Sequence, residues 1–261
     1  MIHQIESVQA GKKIYFLSDF HLGVPSDEES WKREKKIIRF LDSITPAAQA
    51  VFLLGDIFDF WFEYKHVIPK GFARLQGKIA QLTDSGIPVY LYTGNHDLWM
   101  FGYLEKELGV TVFHKPIDWE IAGKKFLIGH GDGLGPGDFV YKCTKKVFVN
   151  PFFQWVFKMT PPAIGMGIAK FWSGKSRQHN TDDRFFEEKE FLWQYCKEQN
   201  VLKHRSYYIF GHRHMPLDLP VGDSARYVNI GDWIKFDTFA EFDGNELKLI
   251  SWKETSEPYS L

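Results

Sequence analysis

Five apolar, β-rich runs in this chain each stop at a residue able to bind a metal ion, and that repeated ending constrains the fold more than any other feature. Ile14 to Leu17 leads into Ser18-Asp19-Phe20-His21, and Ala50 to Leu54 into Gly55-Asp56-Ile57-Phe58-Asp59. Val89 to Tyr92 leads into Thr93-Gly94-Asn95-His96-Asp97, Phe126 to Ile128 into Gly129-His130-Gly131-Asp132, and Tyr207 to Phe210 into Gly211-His212-Arg213-His214. Short continuous apolar runs are what strands buried on both faces look like. A strand that stops at Gly-Asp is weak evidence by itself, because Gly and Asp also make ordinary turns. Repetition changes that. In an α/β sheet the strand C-termini face a common crevice, where residues distant in sequence meet. Asp19, His21, Asp56, Asn95, His130, His212 and His214 are therefore expected to form one mixed nitrogen and oxygen cluster.

Such a donor set suits two divalent cations of the Mn, Fe or Zn type, because imidazole favours transition metals while carboxylates suit harder ions such as Mn2+. A carboxylate between two positions can bridge them. Asp56, ending the most apolar of the five runs, is the natural bridge, and Asp59 either orients the cluster from behind or is ordinary loop polarity.

The rest of the chain is read around these ends. Helices are expected from about Asp27 to Ser43 and from Phe72 to Ser85, as crossovers between parallel strands. Phe58, Phe60, Trp61 and Phe62 form an aromatic run expected to pack beneath the site, with the wall of a lipid-facing pocket as the other reading. Strand grammar is absent from about residue 134 to 180. There, Phe148, Phe152, Phe153, Trp155, Phe157 and Phe171 alternate with Lys142, Lys145, Lys146, Lys158, Lys175 and Arg177, as in a basic amphipathic helical insertion. Either this insertion packs on the core, or it is an apolar cap bordered by cations that suits an acylated anion or a membrane surface. A charged helix over about Thr181 to Asn200 returns the chain to the core. Strands over Tyr227–Ile230, Phe236–Phe242 and Leu247–Trp252, with a turn at Asp243-Gly244-Asn245, are expected to complete a second sheet.

With 261 residues, one large α/β domain carrying the insertion accounts for the whole chain. The formal net charge of -1 speaks against a nucleic-acid surface spread over the molecule. No run approaches the about 18 apolar residues of a membrane span, and the polar Met1 to Gly11 does not read as a signal peptide. Cys143 and Cys196 lie apart from the motif strands and read as reduced thiols, so the expected location is cytoplasmic.

The ordered set D-x-H, G-D-x-x-D, G-N-H-D, G-H and G-H-x-H resembles that of the binuclear calcineurin-like metallophosphoesterases, with no ligand missing. The resemblance implies a four-layer αββα sandwich with a helical lid. It also implies two metal positions, one held by Asp19, His21, Asp56 and His214 and the other by Asp56, Asn95, His130 and His212. A metal-activated water then attacks phosphorus without a protein nucleophile. His96 is expected to hydrogen-bond the phosphoryl group or protonate the leaving oxygen, with Asp97 orienting it.

Within that family, the place of the insertion and its Pro-Phe-Phe-Gln-Trp segment resemble the UDP-2,3-diacylglucosamine pyrophosphatases of lipid A synthesis. Asp138 and Tyr141, following His130-Gly131-Asp132, add to the likeness. This implies a nucleotide-linked acylated sugar as substrate, contacts from Tyr141, Trp155, Phe157, Ser173, Lys175 and Arg177, and a peripheral position on the inner membrane. Typical members of that group carry G-N-R-D where this chain has Gly94-Asn95-His96-Asp97, the form of the wider family. Another phosphodiester or phosphomonoester thus stays open as substrate. A non-catalytic module on the same fold is disfavoured because every ligand is kept.

Overall fold

The computed structural model describes residues 2–137, 139–168 and 185–252. The strands, in chain order, are β1 (His3–Ile5), β2 (Lys13–Leu17), β3 (Ala48–Leu53), β4 (Val89–Tyr92), β5 (Thr111–Phe113), β6 (Ile117–Ile121), β7 (Lys124–Ile128), β8 (Tyr207–Phe210), β9 (Pro216–Val221), β10 (Ala225–Ile230), β11 (Thr238–Phe242) and β12 (Leu247–Ser251). They form two six-stranded sheets, ordered β12-β11-β2-β3-β4-β5 and β1-β6-β7-β8-β10-β9.

Period-two alternation explains why the motif strands read as unbroken apolar runs. On β2, Tyr15 and Leu17 point to one side, and Ile14 and Phe16 to the other. The first pair meets Ile37, Phe40 and Leu41 of helix α1 (Asp27–Ile44) and Leu75, Ile79 and Leu82 of helix α2 (Ala73–Asp84). The second pair joins Phe52 and Leu54 against Trp119, Phe126, Ile128, Ile209 and Val228 of the opposite sheet. The far face of that sheet, with Leu127, Tyr208, Phe210 and Tyr227, is covered by Leu192 and Cys196 of the last helix, α6 (Phe191–Leu202). Helix, sheet, sheet and helix thus form four layers, in agreement with the αββα expectation. Each fully buried Leu, Ile or Phe in the central layer contributes roughly 1.5–3 kcal/mol.

Local signals set the element ends. Ser26 caps α1 by accepting a hydrogen bond from the Glu29 N–H, and Asp27, Glu28 and Glu29 face the positive end of the helix dipole. The paired strands β2, β3, β4 and β5 are all parallel, so α1, α2 and the short α3 (Tyr103–Leu108) serve as their crossovers.

Two expectations need correction. The last three strands do not share a sheet. β10 lies parallel to β8, whereas the β11–β12 hairpin adds to the other sheet with β11 antiparallel to β2. Residues Gly231 to Asp237 carry the chain across the sandwich between them, a step that strand patterning cannot reveal. The returning helix begins at Phe191 rather than near Thr181, after a short 3-10 turn over Glu187–Lys189, and residues 181–184 lie outside the described residues.

The insertion is helical, with α4 (Phe139–Phe148), α5 (Pro151–Met159) and a further helical stretch over residues 162–168. Asn150 caps α5 and Pro151 occupies its first turn. Neither α4 nor α5 contains a fully buried residue.

Candidate metal centre

All five motif ends lie at one end of the sandwich. β2, β3 and β4 are adjacent parallel strands of one sheet, and β7 and β8 are adjacent parallel strands of the other. The crevice therefore runs between two sheets rather than along one. The chain must turn sharply where each strand delivers its ligand. Asp19, His21, Asp56, His212 and His214 all adopt positive φ, between 43° and 68°. Non-glycine residues seldom adopt this conformation, and it persists where the surroundings enforce it, typically at functional sites. Glycines let the strand ends approach. A Cβ at Gly94 would collide with the Asp56 carboxylate, and one at Gly211 with Ser18 and Asp19.

His21, Asp59 and His96 bring their ligand atoms within 4.8 Å of one another. Six of the expected ligands fall into two further groups as tight as this one, Asp19, His21 and His214 in one and Asp56, His130 and His212 in the other. Asp56 faces both. Its Oδ2 lies 3.5 Å from His21 Nε2 and 3.3 Å from His130 Nε2, the placement that a bridging carboxylate requires. Asn95 Oδ1 lies 3.2 Å from His130 Nε2, so the amide joins the second group.

Buried Asp19 Oδ1 and both ring nitrogens of His21 make no hydrogen bond. Asp19 Oδ1 nonetheless faces His21 Nε2 at 3.7 Å and His214 Nε2 at 3.4 Å. Polar atoms left unpaired in a dry interior are costly, and a divalent cation between these donors satisfies them. The residues present therefore fit a metal pair.

Charges without metal tell the same story. Burial pushes the Asp19 carboxyl up, yet His214 and His21 hold it at about 2. Burial pushes His21 down, but Asp19, Asp59 and Asp56 raise it to about 10, and His130 is raised to about 10 against burial by Asp56. Burial and the neighbouring His130 depress His212 to about 3. The carboxylates that favour protonated His21 and His130 favour a metal cation in the same place, so metal binding competes with protons there.

The outer partners fix the rings. His130 Nδ1 donates to the Leu54 carbonyl at 2.7 Å, which leaves Nε2 for metal. Arg33 donates to the Phe20 and His21 carbonyls, supporting the first ligand loop. Asp59 Oδ1 faces His21 Nδ1 at 3.5 Å and His96 Nδ1 at 3.6 Å.

His96 is held differently from expectation. Its Nδ1 lies 3.0 Å from the Asp59 carbonyl, which can only accept, so Nδ1 carries the proton. Burial lowers its pKa, favouring the neutral ring, in which Nε2 is an acceptor. Donation to a phosphoryl or leaving oxygen through Nε2 thus requires the ring to take up a second proton. Asp97 does not orient that ring. It accepts from the backbone N–H groups of Gly94 at 2.7 Å and Ile57 at 2.8 Å, tying two ligand loops together. Burial, then the nearby Asp56 charge, raise its carboxyl to about 7.

The insertion reaches the cluster through Asp132. Lys145 of α4 lies 2.5 Å from its Oδ2, and Tyr141 donates to the same oxygen. The hydroxyl of Tyr141, expected to contact substrate, thus has a protein partner. Phe157 also faces inward, with its ring 4.7 Å from both Phe62 and Trp99. Trp155 is 58% exposed, so the two residues expected to act together are separated. Phe58, Trp61 and Phe62 are buried as anticipated, and Phe62 also receives the insertion. Ser173, Lys175 and Arg177 lie outside the described residues.

Two residues absent from the sequence reading join the site. Glu190 is buried and pairs with Arg213, between two ligand histidines, at 2.7 Å. Asp232 lies 3.2 Å from His214 Nδ1. A signal for the latter existed, since Val228-Asn229-Ile230-Gly231-Asp232 repeats the strand-Gly-Asp ending of Leu54-Gly55-Asp56.

The sequence profile of the calcineurin-like phosphoesterases matches residues 12–216, a span that contains all seven expected ligands. A UDP-2,3-diacylglucosamine hydrolase of Porphyromonas gingivalis strain W83 is 36% identical over 258 residues, covering 93% of this chain and 98% of its own. One of the same name from Vibrio vulnificus strain YJ016 is 30% identical, covering 94% and 95%. Ligand order, two-sheet crevice and profile agree, and the chain belongs to the calcineurin-like phosphoesterase family.

Proposed function

We propose that this hydrolase cleaves UDP-2,3-diacylglucosamine to UMP and 2,3-diacylglucosamine 1-phosphate, a step of lipid A synthesis, using two Mn2+ ions, with Fe or Zn as alternatives. The observation that carries this reading is the attachment of an apolar, basic insertion, through Lys145 and Tyr141, to Asp132, two residues beyond the expected ligand His130. The names of the two relatives point the same way. Asp19, His21, Asp56 and His214 would hold one ion, and Asp56, Asn95, His130 and His212 the other. When bound, the pair polarises phosphoryl oxygens and lowers the pKa of the attacking water.

The chain's own residues supply the rest. Lys145 brings a cation beside the cluster, and His96 presents Nε2 at the site's wall. The exposed side chains of Phe139, Phe152, Trp155, Met159 and Ile164 offer the insertion's apolar surface to acyl chains and to the face of the cytoplasmic membrane. Among the described residues no helix is long and apolar enough to cross a membrane, so the membrane contact proposed is peripheral.

The test compares UMP release from UDP-2,3-diacylglucosamine with hydrolysis of a small aryl phosphodiester by the Mn2+-loaded protein. A strong preference for the lipid, measured as kcat/KM, is expected. Equal or better turnover of the aryl ester would make the protein a phosphoesterase of another substrate.

A further inference from the structure

The loop that carries His212 and His214 meets β10 at a sixth strand end. β10 runs parallel to β8 and stops at Ile230-Gly231-Asp232, so its C-terminus opens onto the same crevice as the five motif strands. Asp232 is only 4% exposed, and its two carboxylate oxygens have different tasks. Oδ1 accepts from the backbone N–H groups of Ile234, Lys235 and Phe236 at 3.3, 2.9 and 3.1 Å, closing the turn that leads to β11. Oδ2 faces His214 Nδ1 at 3.2 Å. The other ring nitrogen of His214, Nε2, points to Asp19 Oδ1 at 3.4 Å, inside the first ligand group.

We propose that Asp232 is a positioning residue for metal binding, holding the proton of His214 on Nδ1 so that the Nε2 lone pair faces the cation shared with Asp19 and His21. A carboxylate can only accept, and an imidazole whose Nδ1 donates must present a lone pair at Nε2. Such outer carboxylates fix the ring's tautomer and orientation, and their loss typically weakens metal binding by about 10–100-fold. Three backbone donors clamp Oδ1, so the carboxylate cannot rotate away from His214. His130 of the second group is served otherwise, since its Nδ1 meets the Leu54 carbonyl. This assignment rests on the two-metal reading of the cluster and not on the lipid substrate.

Asp232→Asn separates the two tasks of the side chain. Its carbonyl oxygen can replace Oδ1 in the turn, where three N–H groups demand an acceptor. The amide NH2 then faces His214 Nδ1, which must accept, and the proton moves to Nε2. Titrating the metal-free protein with MnCl2 by calorimetry should give two sites in the parent. In the variant, one site should weaken by about 10–100-fold while the other is unchanged. Long-range 1H–15N spectra of the Zn2+-loaded parent should show the His214 proton on Nδ1 and metal on Nε2, a readout that does not depend on the variant folding. Two undiminished sites in Asp232→Asn, or metal on Nδ1 in the parent, would overturn the role of Asp232. A parent that binds neither Mn2+ nor Zn2+ would overturn the two-metal reading itself, and this assignment with it.

Discussion

At the metal centre the ligands sit at strand ends, five of the seven buried and Asn95 and His214 partly so, held by backbone from both sheets. Asp97 ties the Gly94 loop to Ile57, and the His212 N–H donates to Asp19 across the crevice. The helical insertion a few residues downstream has no fully buried side chain in α4 or α5. It is fastened at separate points, by Lys145 and Tyr141 to Asp132, by Trp99 Nε1 to the Phe148 carbonyl, and by the Phe157 ring against Phe62 and Trp99. A reaction centre needs donors fixed to within fractions of an ångström, whereas a receptor for flexible acyl chains tolerates adjustment. Under the proposed function, chemistry falls to the most constrained backbone and acyl-chain selectivity to the least buried helices.

Substitutions can break this division. The largest effect is expected for Asp56→Ala, because one carboxylate faces both groups. Metal analysis of the purified protein should show loss from both positions, with turnover falling to background. Full occupancy at both would exclude Asp56 as the bridge. His96→Ala comes next. It removes a ring that gathers with His21 and Asp59 but lies outside both expected ligand sets, so turnover should drop by about 10²-fold with metal content close to the parent's. Metal loss would make His96 a ligand, and an unchanged rate would leave it without a part.

Phe157→Ala addresses the other region. A buried Phe→Ala change costs about 3–5 kcal/mol, and this half-buried ring should cost less, confined to the insertion's attachment. Hydrogen exchange over residues 139–168 should quicken while the melting temperature barely moves. A global loss of stability would instead make the insertion part of the core.

Sequence legibility followed the same division. The seven ligands could be read because each ends an apolar run, and both faces of those strands are buried, so side-chain type reports position directly. Asp232 carries the same signal as Asp56, but Ile230-Gly231-Asp232 lies outside the ordered motif set that singles out the other strand ends. The partnerships of Asp97 and His96 could not be read, because which neighbour accepts a given N–H depends on loop geometry at positive φ. Nor could the split between β10 and the β11–β12 hairpin be foreseen, since both alternatives bury the same residues. In the insertion, an aromatic-rich pattern does not distinguish Phe157, which packs inward, from Trp155, which does not. Only contact with Phe62 and Trp99 tells them apart.

The most direct test of chemistry in the cluster and selectivity in the insertion is steady-state kinetics of Phe152→Ser/Trp155→Ser on two substrates. Both side chains are largely exposed, at 62% and 58%, so little stability is at stake. Each acyl methylene buried contributes about 0.8 kcal/mol, and losing even two such contacts should raise KM for UDP-2,3-diacylglucosamine by about tenfold. Hydrolysis of a small aryl phosphodiester, which has no chains to lose, should keep its kcat/KM. A parallel fall on both substrates, or no change on the lipid, would contradict the division of labour.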